Sequence, residues 1–152
     1  MKILEQFPEN AGKGNNGYNT NLAAEFHVLS VLHRLGLTAN LTLGNKKSVD
    51  IVVVLDRGRT ITIDVKGLAG MTSWPVDNMG DGEPNHFLVF VCYLGHISDT
   101  RIAPEVYIVP SQDVVLVTYA SPKGRRVVPL GRMRKQGAKY RDAWSQIALA
   151  EV

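Results

Sequence analysis

The sequence is poor in cysteine and has no long apolar run. Cys92 is the only cysteine among 152 residues, which excludes an internal disulfide and a cysteine-rich zinc site. No apolar run approaches the roughly 20 residues that a membrane-spanning helix needs. The first ten residues, MKILEQFPEN, lack the apolar centre of a signal peptide. These absences predict a cytoplasmic protein in a reducing compartment, with no membrane as partner.

Acidic residues are missing from one stretch near the C-terminus. Residues 123–141 contain eight lysines and arginines and no acid, whereas residues 1–122 hold 12 acids against 9 basic residues. The length of 152 residues fits one domain with a core. We therefore expect a single domain over residues 1–152, with a basic C-terminal segment at 123–141.

A flexible cationic strip of this kind can follow a phosphate backbone, and it supplies affinity rather than base preference. The alternative is a solvated basic face with no ligand. The candidate nucleic-acid-binding residues are Arg125, Arg126, Arg132, Arg134, Lys135 and Lys139.

A helix is predicted from a cap at Asn19 or Thr20 to about residue 35, after the loop-like residues 8–21. Its apolar stripe is predicted to comprise Leu22, Phe26, Leu29 and Leu32. At 100° per residue, Glu25 projects between Leu29 and Leu32, toward the apolar face. A carboxylate there is costly without a partner. The alternative is that Glu25 lies at the edge of the stripe and turns to solvent.

The stretch VDIVVVLDRGRTITIDVKG at residues 49–67 predicts two strands around a tight turn. In the second strand, Asp64 and Lys66 share one face, because side chains alternate along a strand. A three-residue loop at 56–58, with Gly58 at a positive φ, places Asp50 opposite Asp64. A two-residue loop at 57–58 would instead pair Asp50 with Val65 and turn the two carboxylates apart.

Paired carboxylates on a half-buried sheet face conflict electrostatically. At about 5 Å, two such charges repel by about 3 kcal/mol at an effective dielectric constant of 20. A divalent cation removes this conflict, and oxygen ligands suit Mg²⁺ or Mn²⁺. Lys66 would then orient or deprotonate a water, or stabilise charge on a phosphate. The alternative is that Asp50 and Asp64 are edge carboxylates and that Lys66 pairs with one of them.

The rest of the chain predicts further strands and a terminal helix. Short strands are expected at residues 40–43, 86–94 and 105–109, and a long loop at 67–83. Residues 140–150 predict a helix with Trp144, Ile147 and Ala148 inward. Trp74 in the long loop is assigned to core packing rather than to base stacking or gating.

The helix acid, the strand aspartate and the later D-x-K together resemble the PD-(D/E)xK nuclease superfamily. Glu25 matches its helix acid, Asp50 in KSVD its first motif, and Asp64-Val65-Lys66 in IDVKG its second. The resemblance covers about residues 18–94. It implies an α/β, restriction-endonuclease-like fold, similar to Holliday-junction resolvases, with a central mixed β-sheet flanked by helices.

That resemblance also implies metal-dependent hydrolysis of DNA phosphodiester bonds. Glu25, Asp50, Asp64 and Lys66 would be catalytic, and the carbonyl of Val65 would join the three acids as a ligand of Mg²⁺ or Mn²⁺. Two departures stand out. Val49 replaces the motif proline, and the second helix of the family core has no counterpart in the loop-like residues 67–85.

Two other functions compete with a nuclease. One is a non-catalytic nucleic-acid-binding module on the same fold, and the other is a protein-interaction or immunity-type domain whose acids are structural. The partner predicted for the nuclease is DNA, duplex or branched, and a homodimer stays open.

Overall fold

Two β-sheets and one long helix form the computed structural model, which describes residues 16–42 and 49–150. Helix α1 spans Asn16–Arg34. The larger sheet consists of β1 (Thr38–Leu41), β2 (Ile51–Val54), β3 (Thr60–Leu68), β5 (His86–Cys92) and β6 (Glu105–Pro110). The smaller sheet consists of β4 (Ser73–Pro75), β7 (Tyr119–Ala120) and β8 (Arg126–Pro129). Helices α2 (Leu130–Gln136) and α3 (Ser145–Ala148) follow, and 3₁₀ turns cover Asp56–Gly58, Ser111–Val117 and Ala138–Tyr140.

The larger sheet is mixed. Its strand order is β1-β2-β3-β5-β6, and only the β3–β5 pair is parallel. The smaller sheet has the order β4-β8-β7 and is antiparallel. The predicted α/β class, with a central mixed sheet flanked by helices, is confirmed. Within the described chain, no helix is both long and apolar enough to cross a membrane.

Strand alternation divides the core into two layers. Ile63 and Val65 of β3 join the layer under α1, together with Val89 of β5. The next residues of β5, Leu88 and Phe90, face the smaller sheet. Because β5 is buried on both faces, its sequence is a continuous apolar run rather than an alternating one.

Trp74 belongs to the core, as predicted. Its side chain is completely buried, and its ring meets Phe90 edge to face at 5.2 Å between centroids. The indole Nε1 donates a hydrogen bond of 3.3 Å to the Val91 carbonyl. Short strand β4 thus anchors the smaller sheet to the larger one.

The predicted face of α1 is wrong by about a third of a turn, and its predicted start is late. The helix begins at Asn16, so residues 16–21 are not a loop, while residues 8–15 lie outside the described chain. Its buried face consists of Thr20, Ala24, Val28 and Leu32. Phe26 was predicted to be inward but is 54% exposed. Mostly small side chains occupy the buried face, because the helix lies very close to β3.

Gly67 sets the distance between α1 and β3. A Cβ atom at this position would lie 2.9 Å from the Thr20 carbonyl oxygen and 3.2 Å from the Ala24 Cβ. The Gly67 amide donates a 3.2 Å hydrogen bond to the Asn21 side chain. This use of Asn21, one residue past the predicted cap, fits a helix that starts earlier. The close approach carries Glu25, the neighbour of Ala24, to the edge of the sheet.

The predicted hairpin register is confirmed. Ile51 pairs with Ile63 and Val54 with Thr60, as the three-residue loop requires. Gly58 has a φ of +73°, and Arg57 also has a positive φ, 63°, which the sequence did not indicate.

Several element boundaries differ from those predicted. The first strand covers Thr38–Leu41 rather than residues 40–43, and residue 43 lies outside the described chain. The terminal helix at 140–150 is wrong: only Ser145–Ala148 is helical, and Ala148 is exposed. All of residues 69–85 are described, and this connection between β3 and β5 contains β4 but no helix, in line with its loop-like sequence.

We predict that Gly67→Ala destabilises the fold, while Gly70→Ala does not. The added methyl group at 67 forces α1 away from β3, and overpacking of this kind costs about 1–3 kcal/mol. A Cβ at Gly70 meets nothing within 4 Å, so that variant is the matched control. Urea unfolding measures both. Equal midpoints for the two variants would show that the close approach at Gly67 is not required.

Candidate functional site

The ladder between β2 and β3 breaks at Asp50. Its amide donates to the Ile63 carbonyl at 2.8 Å, and its Oδ2 atom accepts a hydrogen bond of 2.7 Å from the Val65 amide. The carbonyl of Val49, the next residue outward on this strand, accepts a hydrogen bond from the Thr42 hydroxyl instead. A side-chain oxygen thus takes a place that a backbone carbonyl holds in a regular ladder. This bond fixes the Asp50 carboxylate over the middle of β3.

Asp64 and Lys66 stand beside Asp50. The register of Ile51 with Ile63 brings Asp50 next to Asp64, as predicted, and the two carboxyl groups come within hydrogen-bonding range of each other. Lys66 Nζ lies 3.1 Å from Asp64 Oδ2, and the side chains of these two residues are 28% and 7% exposed respectively. The ammonium group therefore reaches solvent, while the carboxylate beneath it is buried.

Glu25 completes the group from the helix side. Its carboxyl group lies close enough to those of Asp50 and Asp64 to interact electrostatically with both. The structure thus brings together all four side chains that the sequence predicted. Across residues 16–42 and 49–150, however, no three acidic, histidine or cysteine side chains already form a closed metal-binding group. The three carboxyl groups make a chain of pairwise contacts with Asp50 in the middle.

This crowding shows in the ionisation of the acids. Burial raises the pKa of Asp50 to about 7. The Val65 amide opposes that shift of the Asp50 pKa, while Asp64 and Glu25 add to it. The pKa of Glu25 is also raised, chiefly by burial, with the Asp50 carboxyl group acting against the shift. Around neutral pH the Asp50 carboxyl group is therefore only partly ionised, and a bound cation would favour its ionised form.

A cleft of about 270 Å³ opens beside Asp64. Its lining residues are Val49, Asp64, Met79, Gly80, Asp81, Glu83, His86, Leu88 and Ser111. The wall formed by residues 79–83 belongs to the helix-free connection between β3 and β5. Two more carboxylates, of Asp81 and Glu83, thus border the same opening as Asp64.

Two contacts hold this wall in place. The Ser111 hydroxyl donates to the Glu83 carbonyl at 2.8 Å and accepts from the Glu83 amide at 2.9 Å. Gly82 lies against Gln112 so closely that a Cβ at 82 would be 2.3 Å from the Gln112 Cα. The wall is therefore built into the fold by the turn that follows β6.

Sequence reasoning gave no role to His86, which also lines the cleft. Its Nδ1 atom is 2.7 Å from the Thr62 hydroxyl, because the parallel register places His86 beside Thr62. The sequence offered no signal for this position, since parallel pairing depends on how residues 69–85 cross between the strands.

The predicted flexible cationic strip is wrong, because residues 126–136 form β8 and α2. Arg134 donates from Nε and Nη2 to the two carboxylate oxygens of Glu105, each at 2.9 Å. Glu105 is buried, and it also accepts a 2.5 Å hydrogen bond from the Tyr107 hydroxyl. Arg134, assigned to nucleic acid by the sequence, is therefore committed to an internal ion pair.

The other basic candidates are divided between internal contacts and solvent. Arg125 and Arg126 bind Asp77 in the connection between β3 and β5. Arg132 donates to the Thr118 carbonyl at 2.7 Å, and Lys139 lies 5.1 Å from the ring centroid of Tyr140. Lys135 is exposed and makes no ion pair with the described residues.

A solved structure shares this fold. It is that of a bacterial homing endonuclease, I-Ssp6803I, with a TM-score of 0.50 and 18% sequence identity. The superposition covers 85% of this chain and 90% of that chain. No family model and no curated protein matches the sequence. At this level of identity, the comparison shows that the two chains share a fold, and the activity must be argued from the site.

We predict that the metal-free protein loses stability as the pH rises from about 4 to about 7. The folded pKa of Asp50, about 7, lies above its ordinary value of 3.8, so the folded state binds more protons in this window. The free energy of unfolding then falls with rising pH, by less than the roughly 1.4 kcal/mol per unit of pKa difference expected for a fully buried group, because solvent screens the partly exposed Asp50 carboxylate. Above pH 7 the loss is complete.

Chemical unfolding across this pH range, in the presence of a chelator, measures the effect. Asp50→Asn keeps an acceptor for the Val65 amide and removes the titrating group, so we expect a smaller fall. Asp56→Asn, at the exposed tip of the hairpin, is the control and should follow the wild type. If Asp50→Asn and the wild type gave parallel curves, Asp50 would not be the source of the pH dependence.

We further predict that Arg134→Ala lowers the urea midpoint, whereas Lys135→Ala leaves it close to that of the wild type. Removing Arg134 leaves the buried Glu105 carboxylate without its bidentate partner, which is costly. Lys135 is its neighbour in the same helix and has no such partner. Equal midpoints for the two variants would show that the ion pair with Glu105 does not stabilise the fold and that Arg134 is free to bind a ligand.

Proposed function

We propose that this chain is a metal-dependent nuclease of the PD-(D/E)xK type, which hydrolyses phosphodiester bonds in DNA. The observation that carries the proposal is the convergence of Asp50, Lys66 and Glu25 around Asp64, which lines the cleft. The spacing of these residues matches the family motifs, and the nuclease-like fold supports the same reading. The whole of residues 1–152 would form the nuclease domain.

The donor set fits a hard divalent cation. Asp50 and Asp64, with Glu25 and the carbonyl of Val65, would hold Mg²⁺ or Mn²⁺, both of which prefer oxygen ligands. The raised pKa of Asp50, which burial and the nearby carboxyl groups of Asp64 and Glu25 cause, supports this assignment, because a bound cation would relieve that crowding of acids. A bound ion would supply Lewis-acid polarisation of the phosphate and a more acidic water.

The protein groups around that position have distinct tasks. Asp50 must give up its proton, and the Val65 amide holds its carboxylate in place as it does so. Lys66 can point its ammonium group at a phosphate oxygen or at the attacking water while Asp64 anchors it. Asp81 and Glu83 across the cleft disfavour a phosphate unless cationic charge is present.

DNA is the substrate that the observations favour. The structural neighbour is by title a homing endonuclease, and this chain is basic in its C-terminal part. Of the predicted nucleic-acid-binding residues, Lys135, Lys139 and Arg125 are exposed, whereas Arg126, Arg132 and Arg134 also donate side-chain hydrogen bonds within the fold.

A non-catalytic nucleic-acid-binding module is the second candidate. One observation favours it: the carboxyl groups of the described residues do not already form a closed metal-binding group. In such a protein the Lys66–Asp64 ion pair would be structural only.

Metal titration and a cleavage assay separate these functions. We expect the wild type to bind Mn²⁺ in calorimetry, and Asp64→Asn to lose this binding. Lys66→Met should keep the Mn²⁺ affinity within about three-fold but cut duplex DNA about 10²–10⁴-fold more slowly, the usual contribution of such a group.

Asp99→Asn, a carboxylate on the loop between β5 and β6, is the control and should match the wild type in both assays. Millimolar Mn²⁺ without a binding signal in the wild type would rule out the nuclease and leave the binding module. Cleavage by Lys66→Met at the rate of the wild type would remove Lys66 from the mechanism.

A further inference from the structure

Strands β7 and β8 form a protruding hairpin, residues 119–129, whose loop is internally braced. The Ser121 amide donates to the Arg125 carbonyl at 2.8 Å, and the Gly124 amide donates to the Ser121 carbonyl at 2.9 Å. The Ser121 hydroxyl accepts a third bond, of 3.1 Å, from the Arg125 amide. Gly124 has a φ of +80°, which suits glycine at a tight turn. This basic hairpin therefore holds its shape without a ligand.

The tip of the basic hairpin is exposed and cationic. Residues 122–126 are all exposed, and three of them are Lys123, Arg125 and Arg126. Opposite them stands a single carboxylate, Asp77, which accepts from Arg125 Nε at 2.8 Å and from the Arg126 amide at 2.7 Å. Arg125 nonetheless remains 65% exposed, and Lys123 makes no ion pair with the part of the chain that the structure describes.

The hairpin adjoins the cleft that contains Asp64. Arg126 donates from Nη2 to the carbonyls of Asp77 and Met79, at 2.9 Å and 2.7 Å. It also lines a second cavity, of about 390 Å³. The residues that line both cavities are Met79, Gly80, Asp81 and Ser111. A single wall thus separates the base of the hairpin from the proposed catalytic acids, so one extended ligand can reach both.

We infer that the basic hairpin enters a groove of duplex DNA and makes the chain prefer a duplex to a single strand. The major groove, about 12 Å wide, admits a two-stranded β-ribbon. Lys123 and Arg125, both exposed in the hairpin loop, are the residues that would contact the DNA. The inference rests on the proposed function, because it is the proposed function that places the DNA backbone at Asp64.

The chemistry of the tip favours a duplex over a single strand. Proteins that bind single strands present aromatic rings on which bases stack. The loop residues Ser-Pro-Lys-Gly-Arg at 121–125 include no aromatic side chain. The nearest ring, that of Tyr119, has the Arg132 guanidinium 5.7 Å from its centroid, so one of its faces is already covered. A braced cationic tip without stacking groups suits groove and phosphate contacts.

The test compares the binding of a fluorescent 30-base-pair duplex with that of one of its strands, in Ca²⁺ and at two salt concentrations. We expect the double variant Lys123→Ala/Arg125→Ala to weaken duplex binding about ten-fold or more. The slope of log K against log[salt] should also become shallower, by the contribution of up to two phosphate contacts. Binding of the single strand should change less than about three-fold. The single variant Lys123→Glu leaves the Arg125–Asp77 pair intact and should show the same selective loss.

Arg34→Ala/Arg101→Ala is the matched control. It removes the same charge from outside the hairpin, at the last residue of α1 and in the loop between β5 and β6, and it should retain duplex affinity. Thermal unfolding checks that each variant is folded. Equal losses for duplex and single strand, or unchanged duplex affinity in folded hairpin variants, would overturn the inference. Because the readout is binding, a wild type without cleavage activity but with hairpin-dependent duplex preference would refute only the proposed function.

Discussion

The hydrogen bond from the Val65 amide to the Asp50 carboxylate is the contact on which the candidate site depends. It replaces a backbone acceptor at the point where β2 leaves β3. A buried amide without a partner is costly, so the fold requires an oxygen at this place. A carboxylate meets that requirement and adds negative charge beside Asp64. One local break in a β-ladder thus creates both the geometry and the electrostatic strain of the site.

Two further constraints position Glu25 and the wall of the cleft beside Asp50 and Asp64. Gly67 lets α1 approach β3 closely enough for Glu25 to meet Asp50. On the other side, Ser111 fastens the wall at residues 79–83. Several basic side chains of the C-terminal segment stabilise the fold rather than bind a ligand. Arg134 pairs with Glu105, and Arg126 donates hydrogen bonds to the carbonyls of residues 77 and 79. The net charge of a segment therefore overstates the number of groups free to bind a polyanion.

Local features of the sequence predicted which acidic side chains lie close together, while their role in a site stays a prediction. The register of the hairpin followed from Gly58 and the alternation of 60–66, and it placed Asp50 by Asp64 correctly. The face of α1 was predicted wrongly, because Leu22, Phe26 and Leu29 are larger and more apolar than the Thr20, Ala24 and Val28 that a close approach selects. The roles of His86 and Glu83 were not predictable, since both depend on a parallel crossover and on long-range contacts. Arg134 was misassigned because its partner, Glu105, is 29 residues away.

The compact hairpin of β2 and β3 has a consequence for the order of folding. Its loop has only three residues, and such hairpins close within about 1–10 μs, before longer connections do. The parallel pairing of β3 with β5 must wait until residues 69–85 have crossed over. Asp50 and Asp64 therefore meet in a nascent unit that has neither its second sheet nor its full burial. Because burial is the chief cause of the raised Asp50 pKa, Asp50 takes up its proton only when later packing removes it from water, so acidity acts on the late steps of folding rather than on nucleation.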